Sequence, residues 1–322
     1  MKVGIWNKKV LIIIVQIVIF ILMICFFSVW CPLTLYDADD WKYISYSRIP
    51  LPMWKGWNPS RVLPETLMPL AGKISGKIAS YFSLDFVYAT TIVSSIICAS
   101  TITLMCYLVF KCLCIRKNKD VYVSLIMEIL FFIGCFLIFR NRSGSRYLFN
   151  SSNVCCVYFY IVPGVLNATV ILFLMQFEDW EKQYRNFTLT KKILFYVIIY
   201  FCIFSNLFHS GMLVVYISIT VLTKLYINKN EVGQKNHEMI YENKESIFII
   251  LMWIVAVIFE LSGGRAGVVG NDEGINIILS IKQLVALIKA MNKFFLLLLV
   301  ACTVYTLNKM RKNGKSKRTY EI

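Results

Sequence analysis

Charged residues are scarce in this chain, and acidic residues are the scarcer kind. Only 16% of the 322 residues are charged, with 18 Asp and Glu against 34 Lys and Arg. A soluble domain typically has about 25% charged residues, so the composition excludes a soluble globular protein. A mean hydropathy of +0.66 and a hydrophobic share of 58% indicate instead an all-α polytopic membrane protein.

Features typical of several other classes of protein are also missing. The chain has eleven cysteines but only two histidines, and no histidine stands at zinc-binding spacing from a cysteine pair. Lys and Arg are spread between apolar runs instead of forming one basic domain, so we expect no nucleic-acid partner. No internal repeat, low-complexity tract or long linker interrupts the sequence. Residues 1–322 are therefore predicted to form a single polytopic transmembrane domain.

Long apolar runs predict about eight transmembrane helices. The first run follows three lysines and has no small-residue cleavage site after it, which favours an uncleaved anchor over a signal peptide. The predicted spans are 10–30, 86–110, 121–139, 155–177, 192–208, 210–226, 247–261 and 284–306.

The basic residues predict the orientation of these spans. The N-terminus, alternate loops and the basic tail, about 308–322, contain 21 of the 34 Lys and Arg residues. Because cytoplasmic loops are enriched in Lys and Arg, both termini are expected to be cytoplasmic in a multi-pass protein of the cell membrane. The first loop, about 31–85, then faces outward. Within it, 64–82 is predicted to be an amphipathic helix, with Lys73 and Lys77 toward water and Gly72 and Gly76 allowing close contact with a neighbour.

The acidic segment Tyr36–Trp41 follows the first span directly. Charge at the edge of a membrane is costly and is usually retained for a purpose. Asp39 and Asp40 are the candidate catalytic residues, because one of two adjacent carboxylates can act as a general base. They could also bind Mg²⁺ or Mn²⁺. The structural alternative is a hydrated loop in which an aspartate caps a helix.

Two further outward segments carry residues suited to a phosphorylated sugar. Indole rings stack on sugar rings, and guanidinium groups form bidentate hydrogen bonds with phosphate. Trp57 and Arg61 in the first loop are therefore candidates for binding the sugar and the phosphate. An interfacial aromatic belt would explain the tryptophan equally well. A second basic cluster could hold a diphosphate or bind lipid headgroups, and it consists of Arg140, Arg142 and Arg146.

Four further polar residues complete the set of candidates that the sequence offers. His209 lies in the short turn predicted between the fifth and sixth spans, where a structural role is the alternative. Glu260 and Arg265 are expected to form an interfacial ion pair. Glu128 lies inside the third span and should face protein or water, because facing lipid would be expensive.

Together these segments resemble the GT-C superfamily of integral-membrane glycosyltransferases, especially bacterial members that modify surface polysaccharides such as O-antigen. The acidic pair with its following aromatic in the first outer loop is similar to the family's acidic motif. The segments that carry the resemblance are Asp39–Trp41, Trp57–Arg61, Arg142–Ser145, Tyr160–Pro163, Asn206–His209 and Ser262–Arg265.

The resemblance implies a GT-C-like fold and an inverting transfer of a sugar from a polyprenyl-phosphate carrier to a glycan or lipid acceptor. Asp39 or Asp40 would be the base, with the other orienting the acceptor or a metal ion. The substrate-binding residues would be Asp37, Trp41, Trp57, Asn58, Arg61, Arg140, Arg142, Arg146, His209 and Arg265. A glycolipid transporter or flippase, a polysaccharide polymerase of the same pathway and a non-catalytic scaffold are the alternatives.

Overall fold

The computed structural model shows a helical protein. It describes residues 3–46, 50–52, 57–115, 119–135, 152–227 and 241–260, together with separate helical positions between 281 and 308. Among these residues there is no β-strand, and one isolated parallel bridge joins Thr34 to Asn153. The prediction of an all-α protein is confirmed for this part of the chain.

The described helices are numbered here in chain order. They are α1 Val3–Cys25, α2 Ala38–Ser45, α3 Val62–Phe82, α4 Phe86–Ile115, α5 Val121–Ile133, α6 Val154–Cys156, α7 Val162–Met175, α8 Trp180–Arg185, α9 Leu189–Ile203, α10 Leu207–Ile227 and α11 Lys244–Phe259. A π-helical turn, Phe26–Trp30, continues α1, and a second one, Val157–Ile161, joins α6 to α7. A 3₁₀ turn, Pro59–Arg61, precedes α3.

In the part of the chain that the structure describes, four helices are long and apolar enough to cross a membrane, as expected of a helical membrane protein. They are Lys8–Trp30, Phe86–Ile115, Val154–Met175 and Leu207–Leu225, and they coincide with four predicted spans. The other predicted spans match shorter helices or extend outside the described residues. Helix α5 has 13 residues, α9 has 15 and α11 has 16. The number eight therefore stays a prediction.

The chain divides into two compact units. The first comprises Met1–Phe131 and Ser151–Val268, and the second comprises Phe132–Asn150 and Val269–Ile322. All contacts discussed below lie within the first unit. Within it, α4 packs against α1, α3 and α7 through small residues, among them Ala89, Ser94 and Ala99. Small residues allow transmembrane helices to approach closely, so α4 forms the centre of this half of the unit.

A helix is present where the amphipathic helix was predicted, and it extends over Val62–Phe82 with Pro69 inside it. Lys73 and Lys77 are exposed, as expected. The larger apolar residues beside them are exposed as well: 50% of Leu70, 41% of Ile74 and 83% of Tyr81. The buried face is made of smaller side chains, including Met68, Ala71, Gly72 and Ser75. An exposed face that combines apolar residues with lysines suits a membrane interface.

The close approach expected at Gly72 is present. A Cβ atom at this position would lie 2.6 Å from both the carbonyl oxygen and the Cγ1 atom of Ile44, near the end of α2. At Gly76, the nearest atom to a Cβ would be Cε2 of Phe86, at an ordinary 3.9 Å. Gly72 therefore sets the distance between α3 and the helix that carries the acidic segment.

Replacing Gly72 by Ala should destabilise the protein by about 1–3 kcal/mol, because the added methyl group collides with backbone that cannot rotate away. The measurement is the thermal unfolding midpoint in detergent, followed by helical circular dichroism. Gly76→Ala is the matched control, which should be neutral or slightly stabilising, since Ala favours a helix by about 1 kcal/mol over Gly. Equal midpoints for the two variants would contradict the tight contact at Gly72.

Candidate functional site

The acidic segment forms the first turn of α2. Asp37 is the N-cap residue, and it forms a capping box with Asp40 three residues later. This arrangement satisfies backbone N–H groups that have no partner inside the helix. Asp37 therefore has the helix-capping role that was the structural alternative for the aspartates.

Asp40 is completely buried and is surrounded by N–H donors. Its Oδ2 atom accepts hydrogen bonds from the backbone N–H groups of Tyr36, at 2.7 Å, and Asp37, at 3.0 Å, and from Nδ2 of Asn153, at 3.2 Å. Its Oδ1 atom accepts from the backbone N–H of Cys155, at 2.6 Å. Both oxygens of this carboxylate are therefore occupied in joining α2 to the start of α6.

Asp39 has the opposite environment. Its side chain is exposed, and it accepts no hydrogen bond from the residues that the structure describes. The charges of Asp39, Asp40 and Arg61 all act on the thiol of Cys155, which places them in one electrostatic neighbourhood. Adjacent in sequence, the two candidate catalytic residues are thus separated by the fold into one buried anchor and one free carboxylate.

Arg61 reaches this neighbourhood from the turn before α3. Its Nη1 atom donates to the hydroxyl oxygen of Tyr43 at 3.2 Å. The Tyr43 ring packs against Phe159, with 4.9 Å between the ring centroids. The guanidinium group is half-buried, and its remaining donors are free for an anion because a guanidinium has five N–H groups.

The residues around Arg61 serve chiefly to hold the turn. The Oδ1 atom of Asn58 accepts from the N–H of Ser60 at 2.9 Å, and the Ser60 hydroxyl lies 2.9 Å from Oε2 of Glu260. Nε1 of Trp57 donates to the carbonyl of Pro50 at 3.3 Å, and its ring meets Phe204 and Phe259 edge-on. Trp57 therefore packs against α9 and α11 with part of its surface still accessible.

His209 lies in the first turn of α10 and not in the preceding connection, which is Phe204–Asn206. The reason is that Asn206 caps the helix early, accepting from the N–H groups of Phe208 and His209. The imidazole packs on Gly164, where a Cβ atom would lie 2.9 Å from Cδ2 of the ring. The Nδ1 atom is buried with no hydrogen-bond partner among the described residues.

The helical rod α6–α7 connects most of these groups. Asn153 and Cys155 contact Asp40, Phe159 contacts Tyr43 through its ring, and the Phe159 carbonyl accepts from Nδ2 of Asn206 at 3.1 Å. We call the face of the α6–α7 rod that makes these contacts, together with the nearby Asp39 and Arg61, the acidic-end site. The π-helical turn at Val157–Ile161 lies in its centre, and π turns are frequent at functional sites.

Several predicted residues lie elsewhere. The Trp41 ring is 6.1 Å from that of Phe86, at the start of α4, and is 47% exposed. Glu260 contacts Ser60, whereas its expected partner Arg265 lies outside the described residues. The basic cluster of Arg140, Arg142 and Arg146 also lies outside them.

The sequence pattern missed Tyr43 and Asn153, both of which contact predicted site residues. An Asn directly before an apolar run is a helix-cap signal, and Asn153 does cap α6 by accepting from the N–H of Cys156 at 2.8 Å. Its second role toward Asp40 depends on a contact across 113 positions, which no local pattern reveals.

Within the described residues, no three His, Cys, Asp or Glu side chains are placed to hold a metal ion. The four N–H donors around Asp40 explain part of this result, because they engage both oxygens of this carboxylate.

An apolar groove of about 620 Å³ runs along α9. At one end it is lined by Pro50 and Leu51, next to Trp57, and farther along by Ile193, Val197 and several aromatic residues. A groove of this composition on an apolar helix suits a hydrocarbon chain.

A second charged cluster lies at the other end of α7, around Asp179. Its Oδ1 atom pairs with Nζ of Lys224 at 2.7 Å, and Glu181 accepts from the N–H of Ser246 at 2.9 Å. Burial acts to raise the pKa of Asp179, but the Lys224 ammonium, together with the backbone N–H and the ammonium of Lys182, lowers the pKa overall. Burial raises the pKa of Glu181. These contacts join α8, α10 and α11, so the cluster is best explained as structural.

Comparisons of the chain with models of known protein families, with curated proteins and with solved structures found no match. The interpretation of the acidic-end site therefore depends on its own geometry and on the sequence motifs.

Proposed function

We propose that this protein is a GT-C-like, inverting glycosyltransferase of the cell membrane. It would transfer a sugar from a polyprenyl-phosphate-linked donor to a glycan or lipid acceptor on the extracytoplasmic side. This proposal includes about eight spans, cytoplasmic termini and an acidic-end site that faces outward. The observation that carries it is that a free, exposed carboxylate, Asp39, and the half-buried guanidinium of Arg61 both lie within electrostatic range of the Cys155 thiol.

The chemistry of such a transfer needs two groups. A carboxylate base accepts the proton of the acceptor hydroxyl as it attacks the anomeric carbon. The bond to the donor phosphate breaks with its electron pair, and the leaving phosphate gains charge that a nearby guanidinium can stabilise. Asp39 is suited to the first task and Arg61 to the second. Asp40, with both oxygens engaged, is suited to neither and instead positions Asp39.

An outward-facing site also requires a lipid-borne donor, because nucleotide sugars are not expected outside the cell. The groove along α9 offers a place for the isoprenoid chain, since its Pro50 end adjoins Trp57, four residues before Arg61. The exposed lysines of α3 would contact anionic lipid headgroups.

Replacing Arg61 by Ala should weaken binding of polyprenyl phosphate about 10–100-fold, because a charge-assisted hydrogen bond contributes about 1.5–3 kcal/mol. The measurement is a titration of the detergent-solubilised protein with polyprenyl phosphate, which is independent of the unknown sugar. Arg185→Ala is the control, since this guanidinium donates to the carbonyl of Glu242 at the other end of α7. Equal affinities for both variants would contradict a donor site at Arg61.

Transfer itself is tested in proteoliposomes with labelled polyprenyl-phosphoryl sugars and glycan or lipid acceptors. We expect label in the acceptor only when the donor is supplied on the side of the acidic segment, located by labelling a Tyr36→Cys variant. Addition of one sugar separates this function from a polymerase, which gives long products. Transfer from the opposite side alone would refute the proposal.

Glycolipid transport, the main alternative, receives less support from the described residues. Transporters place charged groups near the membrane midplane on broken helices. Here the charged residues of the acidic-end site gather at helix ends. The π-helical turn Phe26–Trp30 lies at the C-terminal end of its spanning helix, and the turn Val157–Ile161 lies near the N-terminal end of its own. Glu128 is the exception, and its surroundings indicate a different role.

A further inference from the structure

Two polar contacts join α1 to α5 at matching positions. Nζ of Lys8 lies 3.3 Å from Oδ1 of Asp120, and Nε2 of Gln16 donates to Oε1 of Glu128 at 2.7 Å. Both contacts join residues 112 positions apart, so the two helices run parallel and in register. Eight helical residues rise about 12 Å, which places the second contact that far along the helix pair from the exposed first one.

Glu128 is fully buried at this position, whereas its neighbours Met127 and Ile129 on α5 are exposed apolar residues. A buried ionised carboxylate is stable only when it is paired and fully hydrogen-bonded. No charged side chain of the described residues acts on Glu128, and its one hydrogen-bond partner among them is the neutral amide of Gln16. An ionised Glu128 would therefore be a poorly compensated charge.

Each of the two side chains also has one buried oxygen atom that accepts no hydrogen bond from the described residues. Oε2 of Glu128 and Oε1 of Gln16 are both buried and lack a hydrogen-bond donor among the described residues. They belong to groups already joined by the 2.7 Å contact. If Glu128 is ionised, both atoms are acceptors only, and neither can satisfy the other. A protonated carboxyl group has one O–H donor and one carbonyl acceptor, which complement the amide.

We propose that Glu128 is a proton-binding site, in which the proton on Oε2 is donated to Oε1 of Gln16. The two side chains then form a cyclic acid–amide pair with one N–H···O and one O–H···O hydrogen bond. A single proton satisfies both deficient atoms and removes the charge from the apolar layer. The pair holds α1 against α5 and is independent of the proposed glycosyl transfer.

The test is infrared spectroscopy of the full-length protein in lipid bilayers at neutral pH. The C=O stretch of a protonated carboxyl group is well separated from the bands of an ionised carboxylate. The wild-type spectrum minus that of Glu128→Gln should show the loss of one protonated-carboxyl band. The corresponding difference for Glu178→Gln, an exposed carboxylate, should show only the loss of carboxylate bands. Loss of a carboxylate band in Glu128→Gln would overturn the proposal.

A second variant identifies the partner. Gln16→Leu removes the acceptor of the O–H group, so the protonated-carboxyl band should persist and shift to higher frequency. An unshifted band would refute the pairing with Gln16.

Glu128→Gln should keep the wild-type unfolding midpoint, because two amides form the same cyclic pair, whereas Glu128→Ala should lower it. If Glu128→Gln were as unstable as Glu128→Ala, Glu128 would have to be ionised in the wild type, which also overturns the proposal.

Discussion

Replacing Asp39 by Asn should lower the rate of sugar transfer by about 10²–10⁴-fold, the usual contribution of a general base. Asn has the same shape but cannot accept the proton of the acceptor hydroxyl. Because Asp39 is exposed and makes no hydrogen bond with the described residues, folding should change by less than about 1 kcal/mol, mostly through the lost charge near the α2 N-terminus. Single-turnover transfer from a labelled polyprenyl-phosphoryl sugar measures the chemical step.

The control for this prediction is Glu178→Gln, which removes an exposed carboxylate at the other end of α7. It should leave transfer unchanged. The affinity for polyprenyl phosphate should also be unchanged in Asp39→Asn, since the base acts on the acceptor and not on the donor phosphate. Full transfer activity in Asp39→Asn would show that this carboxylate is not the base and would remove the central residue from the proposed mechanism.

The sequence pattern singled out the acidic segment but could not tell its carboxylates apart. A cap at Asp37 follows from local chemistry, because Asp before an amphipathic turn is a common N-cap. The burial of Asp40 depends on Asn153 and Cys155, which stand 113 and 115 positions away in the chain. Contacts at that distance leave no periodic or spacing signal, so adjacent aspartates appear equivalent until the fold separates them.

A second limit of the sequence patterns concerns helices that contact lipid. Lipid and protein interior are both apolar, so hydrophobic periodicity does not mark the packed side. In α3, the exposed face has the larger residues Leu70 and Tyr81, while Ala71 and Gly72 are buried. The signal that did indicate the packed face was residue size: the pair Gly72 and Gly76 predicted a close contact, and Gly72 makes one with Ile44.

The motif segments show the same difference between what local sequence indicates and what long-range contacts determine. Asn206 was predicted as part of a segment near His209, and it does lie at the acidic-end site, where it donates to the Phe159 carbonyl. Tyr43 carried no motif, yet it is the residue that contacts Arg61. Local motifs identified segments that the fold brings together, whereas the side chain that positions the candidate phosphate ligand became visible only through its contacts.

Replacing Asp40 by Ala should destabilise the protein by about 3–5 kcal/mol, the cost of leaving several buried N–H donors without an acceptor. The affected donors are the backbone N–H groups of Tyr36, Asp37 and Cys155 and the amide of Asn153. Since these groups belong to α2 and to the start of α6, both ends of the contact lose their fixed geometry. The free energy of unfolding in detergent, from denaturant titration, measures the effect.

Asp40→Asn distinguishes this structural role from a catalytic one. An amide retains one acceptor oxygen but turns its NH₂ group toward N–H donors, so stability should still fall clearly, although by less than in Asp40→Ala. Asp39→Ala, one position away, should unfold almost like the wild type because its side chain is exposed. If Asp40→Asn were fully stable yet inactive in transfer, Asp40 would be the base and the assignment of roles between the two aspartates would be reversed. We expect the opposite pattern, because both oxygens of Asp40 are engaged by N–H donors and are not free to face an acceptor hydroxyl.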